Sequence, residues 1–497
     1  TSTSIVPWSA RASDEEQLTA HPSSAFEINT GPDGTGCPGA SRPFAPGFNA
    51  GATNIQAGTF TPFQLTMTRP DQDQTLSKIE LNLPQGLSGM LSNVKLCGEA
   101  EANAGTCGPE SLIGETIVSA GLGADPYTVT GGKVYITTAY GGGNYGLSIV
   151  NPAKAGPFVL QEGSPVIVRA AIFVNPRTSA LRIVSNPLPT IIDGIPLQLQ
   201  HVFVNIDREK FTFNPTDCNP TTIGANIASS EGASAALSVP LQVTNCASLK
   251  FEPKISVSTS GKTSKANGAS LTYKISYPNV PIGTDANIHY VKVELPGELP
   301  SRLTTLQKAC TSKQFASNPA GCPKESVIGH AKAVVPNIPV PLEGPVYFVS
   351  NGGENFPNLV MVLQGYGVTV ELVGDTLIKN GVTSTTFNTV PDNPVTSFEI
   401  SLPEGPYSAL AANGNLCKPT VAKTVKKQVK VKVKGKEKTV TRKVKEQVAT
   451  SLTIPSDYIA QNGTTYNVKA PVTVTGCPKA KAVKKAKAKK KAKGKKK

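Results

Sequence analysis

Six residues, Gly141-Gly142-Gly143-Asn144-Tyr145-Gly146, meet the G-x-G-x-x-G spacing of a phosphate-cradling loop. That chemistry needs backbone N–H groups at the opening of a helix. Here Leu147-Ser148-Ile149-Val150-Asn151-Pro152 follows, an apolar-rich run stopped by proline. It reads as a strand, so the glycines read as a hairpin turn. Asp71-Gln72-Asp73 places two carboxylates one residue apart, as a calcium loop would. It lacks the further acids and the glycine of an EF-hand and reads as a solvated turn after Arg69-Pro70. The four histidines, His21, His201, His289 and His330, are scattered, with no H-E-x-x-H. No G-x-S-x-G elbow exists to expose a serine nucleophile. Asn462-Gly463-Thr464 fits the glycosylation triplet, a pattern common by chance. No catalytic residue, metal or cofactor is expected.

Charge offers the clearest chemistry. Residues 479–497 hold 12 lysines and no acid, and residues 423–446 hold 11 basic and 2 acidic residues. Taking +12 and +9 from the net charge of +15 leaves −6 for the rest, so the body is mildly acidic. Lys430, Lys432, Lys434, Lys484, Lys485, Lys489, Lys490 and Lys491 are the candidate polyanion-binding residues. The tail has no aromatic residue and no arginine, which argues against base stacking or sequence-specific nucleic-acid readout. Salt-sensitive attraction to anionic cell-surface polymers is the expected contact. The 423–446 segment alternates Val429, Val431 and Val433 with lysine around Lys434-Gly435-Lys436, a hairpin signal. Lysine on an edge also discourages strand aggregation.

The elements behind these residues are written twice. Ile79-Glu80-Leu81-Asn82-Leu83-Pro84 and Val291-Lys292-Val293-Glu294-Leu295-Pro296 open matching series. Each series continues with two cysteines, then Glu110-Ser111-Leu112-Ile113-Gly114 or Glu325-Ser326-Val327-Ile328-Gly329. Gly132-Lys133-Val134-Tyr135 and Gly344-Pro345-Val346-Tyr347 follow in the same order. Each copy closes with a second cysteine pair. Matching residues in a duplicated unit are scaffold before they are chemistry. The expected disulfides are Cys97–Cys107, Cys218–Cys246, Cys310–Cys322 and Cys417–Cys477, which implies an oxidising, extracytoplasmic compartment. Zinc would need clustered ligands that are absent. Cys37 is the odd one. The chain opens at Thr1 without a signal segment and reads as a processed form or fragment.

Charged residues are only 17 %, while Gly and Pro number 45 and 41 between short alternating apolar runs. This is an all-β composition, with no run long enough to be a transmembrane helix. The expected fold is two tandem disulfide-pinned β-sandwich repeats with a disordered basic tail. The divisions are an irregular segment at 1–54, repeat 1 at 55–250, repeat 2 at 251–478 with the 423–446 insertion, and the tail at 479–497.

The run Leu83-Pro84-Gln85-Gly86-Leu87 leads to Leu96-Cys97-Gly98-Glu99-Ala100 and Ser111-Leu112-Ile113-Gly114. With Ala155-Gly156-Pro157-Phe158, Asp193-Gly194-Ile195-Pro196-Leu197 and Phe213-Asn214-Pro215-Thr216-Asp217-Cys218, it resembles a family of large secreted repeat proteins of high-GC Gram-positive bacteria. Many of these end in lysine-rich tails. The resemblance spans roughly residues 35–480. It implies an exported repeat protein and brings no catalytic residue.

The expected function is an extracellular, non-enzymatic structural or adhesive cell-surface protein. A secreted carbohydrate-binding module or hydrolase is the first alternative, weakened by 6 % aromatic content and a single Trp. A filament subunit assembled by strand exchange, with the segment before residue 50 as donor strand, is the second.

Overall fold

Period-two alternation turns one row of apolar side chains inward along every strand, and two rolled sheets result. The computed structural model describes residues 2–478 apart from 31–33, 35, 37–41, 156–157, 161–162, 278–280, 354 and 434–435. Cys37 and the 479–497 tail therefore lie outside the described residues.

Repeat 1 contributes eleven strands to one sheet. They are β1 (Gly47–Ala52), β2 (Phe63–Thr68), β3 (Leu76–Leu83), β4 (Leu112–Ala120), β5 (Tyr127–Thr137), β6 (Tyr145–Asn151), β7 (Val166–Val174), β8 (Leu181–Ser185), β9 (Leu199–Ile206), β10 (Thr221–Ser229) and β11 (Ser234–Leu241). Repeat 2 contributes β12 (Lys254–Ser260), β13 (Leu271–Ser276), β14 (Ile288–Glu294), β15 (Val327–Val334), β16 (Leu342–Ser350), β17 (Asn358–Gly365), β18 (Val368–Lys379), β19 (Val382–Phe387), β20 (Ser397–Leu402), β21 (Thr453–Ala460) and β22 (Thr465–Thr475).

The first sheet runs β1-β2-β9-β4-β5-β6-β7-β8-β3-β10-β11. The second runs β12-β13-β20-β15-β16-β17-β18-β19-β14-β21-β22. Each of these eleven is the counterpart of the strand eleven earlier, and the two-residue strand Cys310–Thr311 adds a parallel edge to β16. In repeat 2 a parallel pairing of β12 with β22 closes the ring. In repeat 1, β1 and β11 come together without a ladder between them. Each repeat is thus one sheet rolled into a barrel-like form. The roll begins at Gly47, eight residues ahead of the expected boundary at 55. Residues 47–52 are consumed as β1 against β2, so the end of the supposed donor strand is already paired at home.

The repeated residues hold equivalent places. Gly114 and Gly329 each sit at a register shift against the next strand. A Cβ on Gly114 would lie 2.1 Å from the Asn205 carbonyl oxygen, and one on Gly329 would lie 2.4 Å from that of Ser401. Only glycine fits such a bulge. The disulfides join Cys97 to Cys107, Cys218 to Cys246, Cys310 to Cys322 and Cys417 to Cys477. The first ties the helix Glu99–Ala104 over Tyr135, with Ala102 buried between. The third ties the helix Ser312–Ser317 over Tyr347, with Phe315 in that place.

The two repeats stack by unlike ends. Residues 84–111 and 207–220 leave one end of repeat 1. Residues 335–341, 366–367 and 388–396 leave the opposite end of repeat 2, and these segments meet. Ser92 Oγ donates to the Pro336 carbonyl at 2.6 Å, and Asn337 Nδ2 donates to Ser88 Oγ at 3.2 Å. Arg177 pairs with Glu371 at 3.5 Å. The glycine-rich turn ahead of β6 belongs to this junction. Asn144 Nδ2 donates to the Gly367 carbonyl at 2.8 Å, and the Tyr145 hydroxyl donates to that of Tyr366 at 2.5 Å.

Candidate functional site

The basic segment forms a long hairpin, Thr420–Val433 against Lys436–Ala449, wider than the expected 423–446. At about 3.4 Å per residue it spans roughly 45 Å. Among the described residues no third strand joins it. The register sets Lys426 opposite Lys443 and Lys427 opposite Arg442, and Lys423 and Lys432 opposite Glu446 and Glu437. Lys427 Nζ reaches Glu446 at 3.0 Å, one of the few acids present. Lys430 and Lys432 fall in the first strand near its tip. Lys434, Lys484, Lys485, Lys489, Lys490 and Lys491 lie outside the described residues.

The remaining motif residues are spread over separate elements. Asp73, in the turn after β2, accepts the Ala45 N–H at 2.5 Å, and the Arg69 guanidinium donates to the carbonyls of Pro70, Asp71 and Asp73. This is a self-capped turn. His201 lies on β9 and His330 on β15, while His289 lies on β14. Asn462, of the glycosylation triplet, donates through Nδ2 to the carbonyls of Cys246 and Leu249 at 3.0 and 3.1 Å. It clips the end of β21 to the inter-repeat link.

A buried carboxylate holds the junction. Asp392, 1 % exposed, follows β19 in repeat 2. It accepts from the Thr216 N–H at 2.7 Å, the Thr216 hydroxyl at 2.6 Å, the Asp217 N–H at 3.2 Å and Asn287 Nδ2 at 2.8 Å. Burial pushes its carboxyl above the usual carboxylate range, and these hydrogen bonds pull the other way. Gly86 adopts φ +86° here, with the place of a Cβ only 2.5 Å from Pro215 and 2.7 Å from Asp392 Oδ2. No sequence pattern marks this cluster, because its partners lie 176 and 105 residues away.

The rolled sheets enclose a cavity of about 540 Å³ lined by both repeats. Its walls are the inward rows of the strands, such as Leu147 and Ile149 on β6 or Val368, Val370 and Leu372 on β18. Several of its polar groups are engaged with protein, while Asn337 Oδ1, buried in the lining near the junction, has no hydrogen-bond partner. Thr116 Oγ1 donates to Asn151 Oδ1 at 2.6 Å, and the Tyr273 hydroxyl bonds Ser456 at 2.8 Å as well as Tyr458. Burial pushes the hydroxyls of Tyr145, Tyr273 and Tyr458 up. Lys154 is the one charged residue among the described lining.

No family model and no curated protein matches this chain. Among solved structures it is similar to the BSP domain of a biofilm-associated protein, at 9 % identity and a TM-score of 0.16. That match covers 87 % of this chain, which spans only 58 % of the other. The B domain of a biofilm-associated protein gives 11 % identity, 86 % and 84 % coverage and a TM-score of 0.16. A protein described as membrane-anchored from Corynebacterium diphtheriae gives 10 %, 87 % and 89 % coverage and 0.14. At TM-scores this low the likeness carries no argument about this chain.

Proposed function

We propose that this is an exported, non-enzymatic cell-surface protein of structural or adhesive type, held to anionic polymers by its basic segments. The observation that carries the reading is this lone hairpin of strong net positive charge, in which Lys426 faces Lys443 across the ladder. A hairpin standing alone is marginal in water, and like charges facing across strands weaken it further. A polyanion laid along the ribbon removes that repulsion and gains from counterion release. Four disulfides support an oxidising compartment. The lysine-rich tail adds charge of the same sign.

The test is co-sedimentation with purified Gram-positive cell wall at low and high salt. The intact chain is compared with variants lacking 420–449, lacking 479–497, and lacking both. Retention should fall stepwise and vanish in the double deletion, and the intact chain should release steeply with salt. Equal retention of all four forms at low salt would refute the reading.

A further inference from the structure

A well-filled core leaves inward side chains on central strands fully buried. Here many do not reach that state. Ile149, Val204, Val370 and Ile400 face the interior and line the cavity, yet each remains only half-buried. The reason is girth. About eight strands enclose a space that side chains can fill, and rings of more strands leave a lumen. Eleven strands in each repeat leave one here, shared across the junction. Its volume of about 540 Å³ falls within the rough 300–1,000 Å³ range of small-molecule sites. Water has few partners in such a space, and apolar cavities take up apolar ligands.

One end of the lumen is marked. Lys154, exposed, lines the cavity together with Leu160 at the end of repeat 1 away from the junction. Residues 121–126, 152–155, 158–160, 163–165 and 186–198 lie at that end and present Leu122, Val159, Ile191 and Ile195, which are 72 %, 58 %, 62 % and 47 % exposed. Ile192 and Leu197, from the same last loop, turn inward to the lining. The apolar surface therefore runs from the exposed rim into the bore; Lys154 is the one charged residue of the described lining, and Asp125 and Asp193 stand on the same rim loops outside it.

We infer that the lumen is a binding site for the acyl chain of an anionic amphiphile, with the head group at Lys154 and the chain running inward past Ile149. A polar ligand would leave most of its own groups unpaired against these walls, whose polar points, such as Asn337, are few and scattered. A long hydrocarbon chain satisfies them, and an anionic head matches Lys154, the one charged residue of the described lining. This inference concerns the barrel interior and stands independently of polymer binding by the basic segments.

The test titrates the oxidised full-length chain, stripped on a lipid-adsorbing resin, with cis-parinarate, a fluorescent C18 fatty acid. Saturable binding displaced by palmitate is expected. Ile149→Trp and Val370→Trp should each lower affinity at least tenfold while calorimetry shows an intact unfolding transition. Lys154→Glu acts at an exposed site and should not disturb folding. It should weaken palmitate about fivefold, in keeping with an exposed charge contact, and leave hexadecanol unchanged. Vesicles of phosphatidylglycerol, compared with free palmitate as competitors, separate a lipid source from a free fatty acid. Absence of saturable binding would overturn the inference. So would unchanged binding in a folded tryptophan variant, equal effects of Lys154→Glu on acid and alcohol, or a concentration-dependent dimer that excludes the probe.

Discussion

Replacing Asp392 with Ala should uncouple the two repeats. The carboxylate receives four hydrogen bonds, two through Oδ1 and two through Oδ2. Its removal strands four donors in a buried site, each worth roughly 1–3 kcal/mol if left unmet. Partial entry of water lowers the sum, so a loss of about 4 kcal/mol is expected. Asp392→Asn should cost about half as much, because one oxygen remains while the amide opposes two of the donors. Thr216→Val removes one partner and should cost about 1–2 kcal/mol. The double mutant should show a coupling of at least about 1 kcal/mol. Differential scanning calorimetry reads the result. A single transition in the parent should split in Asp392→Ala as the repeats melt separately. Acidity gives a second readout. A carboxyl raised in the folded state binds its proton more tightly there than when unfolded. Its contribution is full below the unfolded pKa and is lost as pH rises through the folded one. The parent should therefore gain stability relative to Asp392→Asn as pH falls through that window. A change under about 0.5 kcal/mol in Asp392→Ala, the size of an ordinary surface substitution, with an unsplit transition, would refute the account.

Three further outcomes follow from the structure. Gly114→Ala and Gly329→Ala should each destabilise by roughly 2–4 kcal/mol in urea titrations, because the added carbon would meet a backbone oxygen. Deleting single disulfides should rank by loop length, measured by urea midpoint. Loss of Cys417–Cys477, separated by 60 residues, should cost roughly 4 kcal/mol, and loss of Cys97–Cys107, separated by 10, roughly 2.7 kcal/mol. Lys426→Glu should strengthen the hairpin by about 0.5 kcal/mol, seen as slower amide exchange, because it faces Lys443. The same change should weaken retention on cell wall.

The duplication was legible because each signal is local. Glycine at a bulge, tyrosine under a disulfide-tied helix and alternation along a strand recur at the same intervals in both copies. Ring closure was not legible. Alternation says which side chains point inward and is silent on whether the inside is full. Val370 and Val346 carry the same letter, yet Val346 is fully buried and Val370 lines the lumen half-buried. The junction was hidden for another reason. Asp392 follows an unremarkable Val390-Pro391, and three of its four donated hydrogen bonds arrive from the other repeat, with the fourth from Asn287, 105 residues earlier in its own. The glycine-rich turn was readable as a turn, but its engagement of Tyr366 and Gly367 depends on stacking. The lysines were plain in composition, while their opposition across a ladder needed the register.

Stacking by unlike ends gives the molecule a direction. Two units related in this way share no self-complementary patch, so nothing in the contact itself limits their number. Gene duplication then translates into bore length, one barrel per copy, with the mating surfaces inherited ready-made. In this chain the leading face has been altered. Where repeat 2 makes the short turn at Tyr366-Gly367, repeat 1 carries the longer 152–165 loop with its small hairpin, and a second hairpin stands at 191–196. Those additions stand at the end of repeat 1 away from the junction, whereas the equivalent end of repeat 2 is plain enough to receive a barrel.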